Sequence, residues 1–543
     1  MKRFIEESSQ KDYDIIVIGG GITGASVAYE AASRGFSVAL LEKNDFSAAT
    51  SAATSKLIHG GLRYLANFEF GLVRESLKER RILENIAPNL VYPIPFIIPL
   101  YNNWARSKWI MEPGMIIYDL LSYDKGFTWD DAKKIPWHKH ISRKKVQELE
   151  PIVKTDGMTG AILYHDCASI NPERLTLAFI KSAVKLGAEV ANYAKVVDFL
   201  RPNGYVEGVV VQDLLQNKSL EVRGKMIINC GGPWADLILE VATRKHGSKN
   251  IRRSEGIHII TRKLVKQHCM GMMSPGGRHF NIIPWRGHSL IGTTDREYIG
   301  DPDAYEVTRE KIEEFLVEVN GALNEKDQIA YSDVLYTYGG LRPLVEDQTK
   351  EVYKSSRKYE IYDNEKDGLK GLITVEGGKY TTSRSLAENV VRMVVRKLEL
   401  GSYKSKTAKK YLAGSEIKNI NSFIGSAIFE NEDFPDTTME YLARVYGTEY
   451  TDVLKIARHQ PEFAVPVNPD GEILAQVVFA IREEMARTLT DILLRRTGIG
   501  TLGHPGKEML QKVTEIAAKE LNWDKARMDQ EWMAAEKVLT VPQ

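Results

Sequence analysis

At 543 residues the chain is too long for one hydrophobic core, so two or three domains are expected. Its 43% hydrophobic and 27% charged residues are ordinary for a globular protein, and a formal net charge of +1 gives no general field to gather nucleic acid. The 3 cysteines, Cys167, Cys230 and Cys269, form no C-x-x-C pair, which argues against a disulfide framework or a thiolate metal site and suits a reducing compartment.

The opening "MKRFIEESSQKDYD" carries acids and lacks an apolar h-region, so it reads as neither a secretory signal nor a transit peptide. No apolar run approaches the roughly 20 residues of a spanning helix. Asp14–Ile18 then reads as a buried strand, Ile22–Ser33 as a helix and Ser37–Leu41 as a second strand, a βαβ unit. "SAATSAATSKLIHGGLRYL" (Ser47–Leu65) is rich in small and hydroxyl residues and reads as loop, followed by a helix over roughly Phe70–Asn85. Three strand-like runs after Gly187 suggest a meander that returns to the first sheet, and Arg278–Asp295 suggests a hairpin around Arg286-Gly287. The polar, basic stretch Gly401–Gly414 is a linker signal. Beyond it Thr437–Tyr446, Glu472–Arg496 and Lys507–Leu521 read as helices. The expected organisation is an α/β region over 1–405, with a discontinuous nucleotide domain interleaved with a β-rich one, and an all-α domain over 406–543.

Gly19, Gly21 and Gly24 follow the first strand in G-x-G-x-x-G spacing: a tight turn, a close approach for pyrophosphate, and close packing of helix on strand. The helix start offers unpaired N–H groups and a positive dipole end to phosphates. Glu42, ending the second strand, suits ribose hydroxyls and argues against a 2′-phosphate. These residues alone allow FAD or NAD. Two later segments favour FAD: "MIINCGGPWAD", with Gly231 and Gly232, and "EGGKYTTSRSLAE", each placing a glycine pair before a helix start.

The stretches "SAATSKLIHGGLRYL", "LIGTTD", "GGLRPL", "SSRKYEI", "EGGKYTTSRSLAE" and "AIREEMARTLTDILLRRTGIG" resemble the FAD-dependent glycerol-3-phosphate dehydrogenase family, among the D-amino-acid-oxidase-like flavoenzymes. The resemblance covers nearly the whole chain. It implies a Rossmann-like FAD-binding domain, a β-sheet substrate domain and a C-terminal all-α domain. It also implies oxidation of sn-glycerol 3-phosphate to dihydroxyacetone phosphate by hydride transfer from C2 to flavin N5, with electrons passed to a quinone. One departure is "SEGIHII", where relatives often read Gly-Ser-His.

On that resemblance Arg63, Arg342 and Arg357 match substrate-site arginines, Lys379 the lysine beside the flavin turn, and Ser55, Lys56, His59, Gly378 and Thr381 the cofactor site. Arginine's planar fork suits a dianionic phosphate, and losing one charge-assisted contact is expected to lower affinity on the order of 10–100-fold. His258 is the first candidate for the base. Arg342 competes as the group that polarises the C2 oxygen. Tyr64 and Thr294 have two readings, hydrogen bonding to substrate or flavin and support of the loop and strand end; His59 either faces the flavin or packs its loop. His138 and His140 read as solvated basic surface, with no metal expected.

Electron delivery to a quinone requires contact with lipid. In Asn102–Gly126 the residues Trp104, Arg106, Lys108 and Trp109 suit a membrane interface, while the alternative packs Trp109, Met111, Ile116 and Leu120 into the core, which is preferred. Val477, Ile481, Met485, Leu489 and Ile492 form a helical stripe expected to be intramolecular core, with a homodimer contact or membrane docking as the other readings and Arg482, Arg487, Arg495 and Arg496 as a basic rim. The expected location is cytoplasmic, peripheral to the inner face of the membrane. Competing functions are an oxidase of the same family that makes peroxide, an amine oxidase, and a flavin-bound redox sensor.

Overall fold

The computed structural model describes residues 1–6, 11–102, 107–245, 251–345, 359–401 and 404–543, with Asn203 described in backbone only. β1 (Asp12–Ile18) carries Ile15, Ile16 and Val17 with no exposed surface, as expected of a strand covered on both faces. It pairs in parallel with β2 (Val38–Leu41) on one side and with strand Lys218–Asn229 on the other. Strand Leu372–Gly377 adds in parallel beyond, completing with its neighbours an 8-stranded sheet drawn from distant parts of the chain. The meander is present as Ala194–Leu200, Gly208–Asp213 and Lys218–Asn229, paired antiparallel. α1 (Ile22–Ser33) is buried nearly all round and packs on helices Pro172–Lys185 and Ser383–Lys397. Because the parallel strands point one way, Gly19, Glu42, Gly231 and Gly378 collect at one edge.

The second sheet has 10 strands, with Arg252–Thr261 flanked by Val334–Leu344 on one side and by His288–Gly292 and Arg296–Tyr298 on the other. Alternation sends Ile257 and Ile259 to a core with helix Arg309–Ala322 and turns Ser254, Gly256 and His258 to the opposite face. The expected hairpin pairs His279–Trp285 with His288–Gly292; Arg286 and Gly287 take φ of 50° and 74°, the left-handed pair that a tight two-residue turn requires.

The carboxyl-terminal region is helical and the stripe from Val477 to Ile492 is buried there, as expected. The single helix expected over Glu472–Arg496 is broken, however. Helix Ala475–Arg482 ends, Met485 takes φ of 59°, and a new helical segment begins at Asp491, whose carboxylate accepts the N–H groups of Arg487 (2.8 Å) and Thr488 (3.1 Å). Nor do the arginines form one rim: Arg496, buried, and Arg495, partly buried, are ion-pair partners of Asp45, while Arg482 pairs with Glu520 at the surface.

α2 (Phe70–Ile86) matches its expected span within a residue. α3 (Lys108–Leu121) bears out the preferred core reading for Met111, which packs against the core, and overturns it for Trp109, Ile116 and Leu120. Met115 and Tyr118 define its inward face, and half a turn away Trp109 is 83%, Ile116 46% and Leu120 58% exposed. Trp104 and Arg106 lie outside the described residues. His138 is also not solvated: its Nδ1 lies 2.6 Å from a buried Asp119 carboxylate oxygen. All 3 cysteines are free and buried.

Candidate active site

A cavity of about 630 Å³ joins the edge of the first sheet to the inward face of the second. At the first-sheet end, Gly19 has φ of 106°, and a Cβ there would stand 2.5 Å from the Cys230 carbonyl oxygen. Gly24 does not line the cavity; its missing Cβ would fall 1.8 Å from Gly19 O, which makes it the position where helix meets strand. Gly21 is the N-cap of α1; the Ile22 N–H is taken by Ser51 Oγ at 2.9 Å, and Gly21, Ile22 and Thr23 line the cavity, so the positive end of the helix faces it. Glu42 lines the cavity with its carboxylate fixed by the N–H groups of Gly20 (2.6 Å) and Asn44 (2.8 Å), and burial raises its pKa against both bonds. Gly231 and Gly232 precede helix Ala235–Thr243, and Gly378, Lys379 and Thr381 precede helix Ser383–Lys397. Three helix starts therefore face one elongated space, a donor set suited to the pyrophosphate and flavin of a dinucleotide.

At the other end the register of the second sheet sets Ser254 opposite Arg342, Gly256 opposite Gly340 and His258 opposite Tyr338. Arg342 donates to Thr293 Oγ1 (2.8 Å) and to the Thr294 carbonyl (2.9 Å), and pairs with Asp295 at 3.3 Å. Gly256 makes this possible, since a Cβ would stand 1.7 Å from Arg342 Nη2. The departure noted in "SEGIHII" falls on Ile257, whose side chain is buried in the core on the opposite face; the glycine that leaves room for the guanidinium is common to both patterns. His258 is held between the Tyr338 ring (4.9 Å, nearly parallel) and Gly292, whose Cβ would be 2.0 Å from the imidazole. Its Nε2 lies 2.9 Å from Ser55 Oγ, and its buried Nδ1 has no partner among the described residues. Burial, then Arg342 and Lys56, hold its pKa well below the ordinary imidazole range, so the ring is neutral at neutral pH.

The loop between the two ends carries His59, Arg63 and Tyr64. Gly61 turns it with φ of 75°, and the Gly60 N–H donates at 3.3 Å to Asp166, a carboxylate that also takes Arg80 (2.5 Å) and Tyr118 (2.6 Å). Burial lowers His59 to about 4 against Asp166, helped by Lys379 and Arg63. Lys379 donates to Ser76 Oγ at 2.5 Å and stands over the Tyr64 ring at 4.7 Å; Arg63 lies 5.1 Å from the same ring. Burial brings Lys379 down to about 8, opposed by Glu75 and Glu69 and assisted by Arg63.

Of the residues expected here, Ser55, His59, Arg63, Tyr64, His258, Arg342, Gly378, Lys379 and Thr381 line the cavity with Gly19, Gly21, Glu42, Gly231 and Gly232. Lys56 does not. Its backbone takes a left-handed φ of 55°, and its ammonium lies by Trp285 (4.8 Å), Tyr338 (5.6 Å) and Glu173 (3.4 Å). Thr294 also faces away and spends its hydroxyl on the Ile257 N–H at 3.0 Å, the strand-support reading. Arg357 lies outside the described residues. Thr293, Ser254, Gly256 and Asp295 were missed. Strand alternation from His258 would have found Ser254 and Gly256; nothing in the "GTTD" letters says which threonine faces inward.

The fold and cavity define a dinucleotide-binding oxidoreductase class. The family described as "FAD dependent oxidoreductase" matches residues 14–384, and "C-terminal domain of alpha-glycerophosphate oxidase" matches residues 405–528. The chain is 34% identical to a glycerol-3-phosphate dehydrogenase of Synechocystis over 97% of its own length and 96% of the relative's. It is 34% identical to the aerobic glycerol-3-phosphate dehydrogenase of Bacillus subtilis over 91% and 89%. A crystal structure of the Bacillus halodurans glycerol-3-phosphate dehydrogenase complexed with FAD superposes with a TM-score of 0.79 at 27% identity, covering 98% of this chain and 96% of that one. The chain belongs to the FAD-dependent glycerol-3-phosphate dehydrogenase family, within the D-amino-acid-oxidase-like flavoenzymes.

Proposed function

We propose that the protein oxidises sn-glycerol 3-phosphate to dihydroxyacetone phosphate and passes the electrons to a quinone. The observation that carries this reading is one cavity that joins a dinucleotide cradle to a wall bearing Arg63, Arg342, Lys379 and a neutral His258. FAD, held by the glycine turns, the three helix starts and Glu42, supplies the two-electron acceptor for the C2 hydride. Arg63 and Lys379, with Arg357 of the same motif set, bind the phosphate dianion, and Tyr64 braces the two cations. Arg342, fixed by Thr293 and Asp295, polarises the C2 oxygen. His258 Nε2, shared with Ser55, accepts the hydroxyl proton as the hydride leaves. A neutral imidazole has that capacity at neutral pH.

The exposed face of α3 supports a lipid-soluble acceptor. Trp109, Ile116 and Leu120 form an apolar stripe beside Phe68 (78% exposed), whose turn packs on α3, and the inward Tyr118 bonds the Asp166 that holds Gly60. The docking face and the catalytic loop are thus contiguous. Among the described residues no helix is long and apolar enough to cross a membrane, so docking would be peripheral.

Anaerobic addition of glycerol 3-phosphate to the yellow holoenzyme should bleach the flavin, and a quinone analogue should restore its colour. Failure to bleach removes the substrate assignment. Peroxide formed in air at the quinone rate replaces the acceptor with oxygen. Trp109→Ser with Leu120→Ser should reduce co-sedimentation with anionic vesicles while dye-coupled turnover persists; unchanged sedimentation ends the membrane reading.

A further inference from the structure

The loop after Glu42 wraps the glycine turn. Asn44 and Ser47 line the cavity, the Ser47 N–H donates to Gly20 O at 3.1 Å, and the Phe46 ring lies against Gly20, where a Cβ would come within 2.7 Å of it. Between them Asp45 faces away from the cavity and is buried. Its carboxylate receives both terminal nitrogens of Arg496, at 2.9 and 2.7 Å, and Nε of Arg495 at 2.7 Å; both arginines come from the helical region. Asn192 donates to the same carboxylate at 3.0 Å and to the Met485 carbonyl at 3.0 Å, which joins the two regions a second time. Arg495 also holds Asp491 at 2.5 Å, and Asp491 accepts the Tyr193 hydroxyl at 2.7 Å. Tyr193 in turn donates its N–H to Asn44 O at 2.9 Å. The circuit therefore closes on both sides of Asp45. Burial would raise the Asp45 pKa, yet Arg496 and Arg495 hold it below the ordinary carboxylate range, so the link is ionic at neutral pH.

We propose that Arg495 and Arg496 are positioning residues for the FAD nucleotide: through Asp45 they set the loop that carries Asn44 and Ser47 and steadies Gly20 and Glu42. The inference rests on the FAD site described above and assigns the helical region a part in cofactor retention. The arginines act at one remove, since neither lines the cavity.

The test measures FAD dissociation constants by flavin fluorescence on reconstituted apoprotein, together with melting temperatures of apo- and holo-protein. Asp45→Asn should raise the FAD dissociation constant by about 10–100-fold and shrink the stabilisation conferred by FAD, because that stabilisation follows ligand affinity. Arg495→Lys, which keeps the charge and loses the fork, should raise it by about 3–10-fold and serves if Asp45→Asn does not fold. Asp130→Ala is the control. Asp130 anchors the helical region through the Ile420 N–H (2.8 Å) and the Asn419 side-chain amide (3.1 Å), neither of which belongs to the Asp45 circuit. It should lower both melting temperatures and leave the FAD constant unchanged. Unchanged FAD affinity in Asp45→Asn, or in Arg495→Lys should the first not fold, overturns the proposal, as does an equal loss of affinity in Asp130→Ala. Failure of the substrate reading would leave these FAD constants untouched.

Discussion

The nucleotide end of the cavity offers mostly backbone: glycines that admit close approach, helix starts, and one carboxylate already fixed by two N–H groups. The substrate end offers side chains: a guanidinium held by its neighbours, a stacked imidazole, and two cations braced on one tyrosine. In the first region function is set by what is missing, because each absent Cβ leaves room for chain or ligand. In the second it is set by charge and by the neighbours that aim it. The two ends should therefore fail differently, the first by losing cofactor and the second by losing rate or affinity with cofactor still bound.

The largest effect is expected from Gly24→Val. Its Cβ would stand 1.8 Å from Gly19 O, so α1 must move off the strand. Overpacking of this kind usually destabilises by about 1–3 kcal/mol, and here the displaced element is the phosphate-facing helix. The protein should purify colourless with a lowered melting temperature; retention of a full complement of FAD would break the contrast. Next is Gly256→Ala at the other end. Its Cβ would displace Arg342 Nη2, lying 1.7 Å from it, so kcat/KM should fall on the order of 100–1000-fold, the scale of removing a preorganised donor. FAD content should match the parent. Simultaneous loss of flavin would show that the two ends are not separable.

The same contrast explains what could be read from the letters. The βαβ unit was legible because glycine spacing, apolar strands and a terminal acid are local. The residues at the substrate end depend on a register between strands far apart in the chain, so Thr293 could not be singled out, whereas Ser254 shares the strand and face of His258 and follows from alternation alone. Lys56 lies in a well-matched motif, but its ammonium lies by Trp285, Tyr338 and Glu173 and not in the cavity. Two apolar stripes of helical spacing had opposite outcomes: Val477, Ile481, Met485, Leu489 and Ile492 are covered, although the helix breaks among them, and Trp109, Ile116 and Leu120 are not. Periodicity reports that a helix has an apolar face and says nothing of what covers it. Arg495 and Arg496 looked like surface charge because their partner, Asp45, is some 450 residues away in sequence (|i−j| of 450 and 451).

A smaller effect should separate the cations by pH. Lys379 is held at about 8, below the ordinary lysine value, by burial, so in the free enzyme it is charged below pH 8 and neutral above. Phosphate binding needs the charged form. KM should be flat from pH 7 to 8, where the phosphate is already a dianion (second pKa about 6), and then rise by up to about tenfold per pH unit. Lys379→Met should show a raised KM with no such rise. His258, neutral throughout, should add no inflection near 6.5 to kcat/KM.

The smallest effect tests one residue's orientation. Thr293 and Thr294 are adjacent, and valine replaces the hydroxyl of either at nearly equal volume. Thr293 Oγ1 accepts from Arg342 at 2.8 Å, so Thr293→Val frees one guanidinium N–H and should lower kcat several-fold while the melting temperature changes little. Thr294 Oγ1 accepts the buried Ile257 N–H at 3.0 Å, so Thr294→Val strands a backbone donor in the core. That should destabilise by about 1–3 kcal/mol and leave kcat near the parent value. A kcat loss in Thr294→Val with an unchanged melting temperature would restore Thr294 as the substrate-facing residue. It would also mean that Arg342 is aimed by something other than its present neighbours.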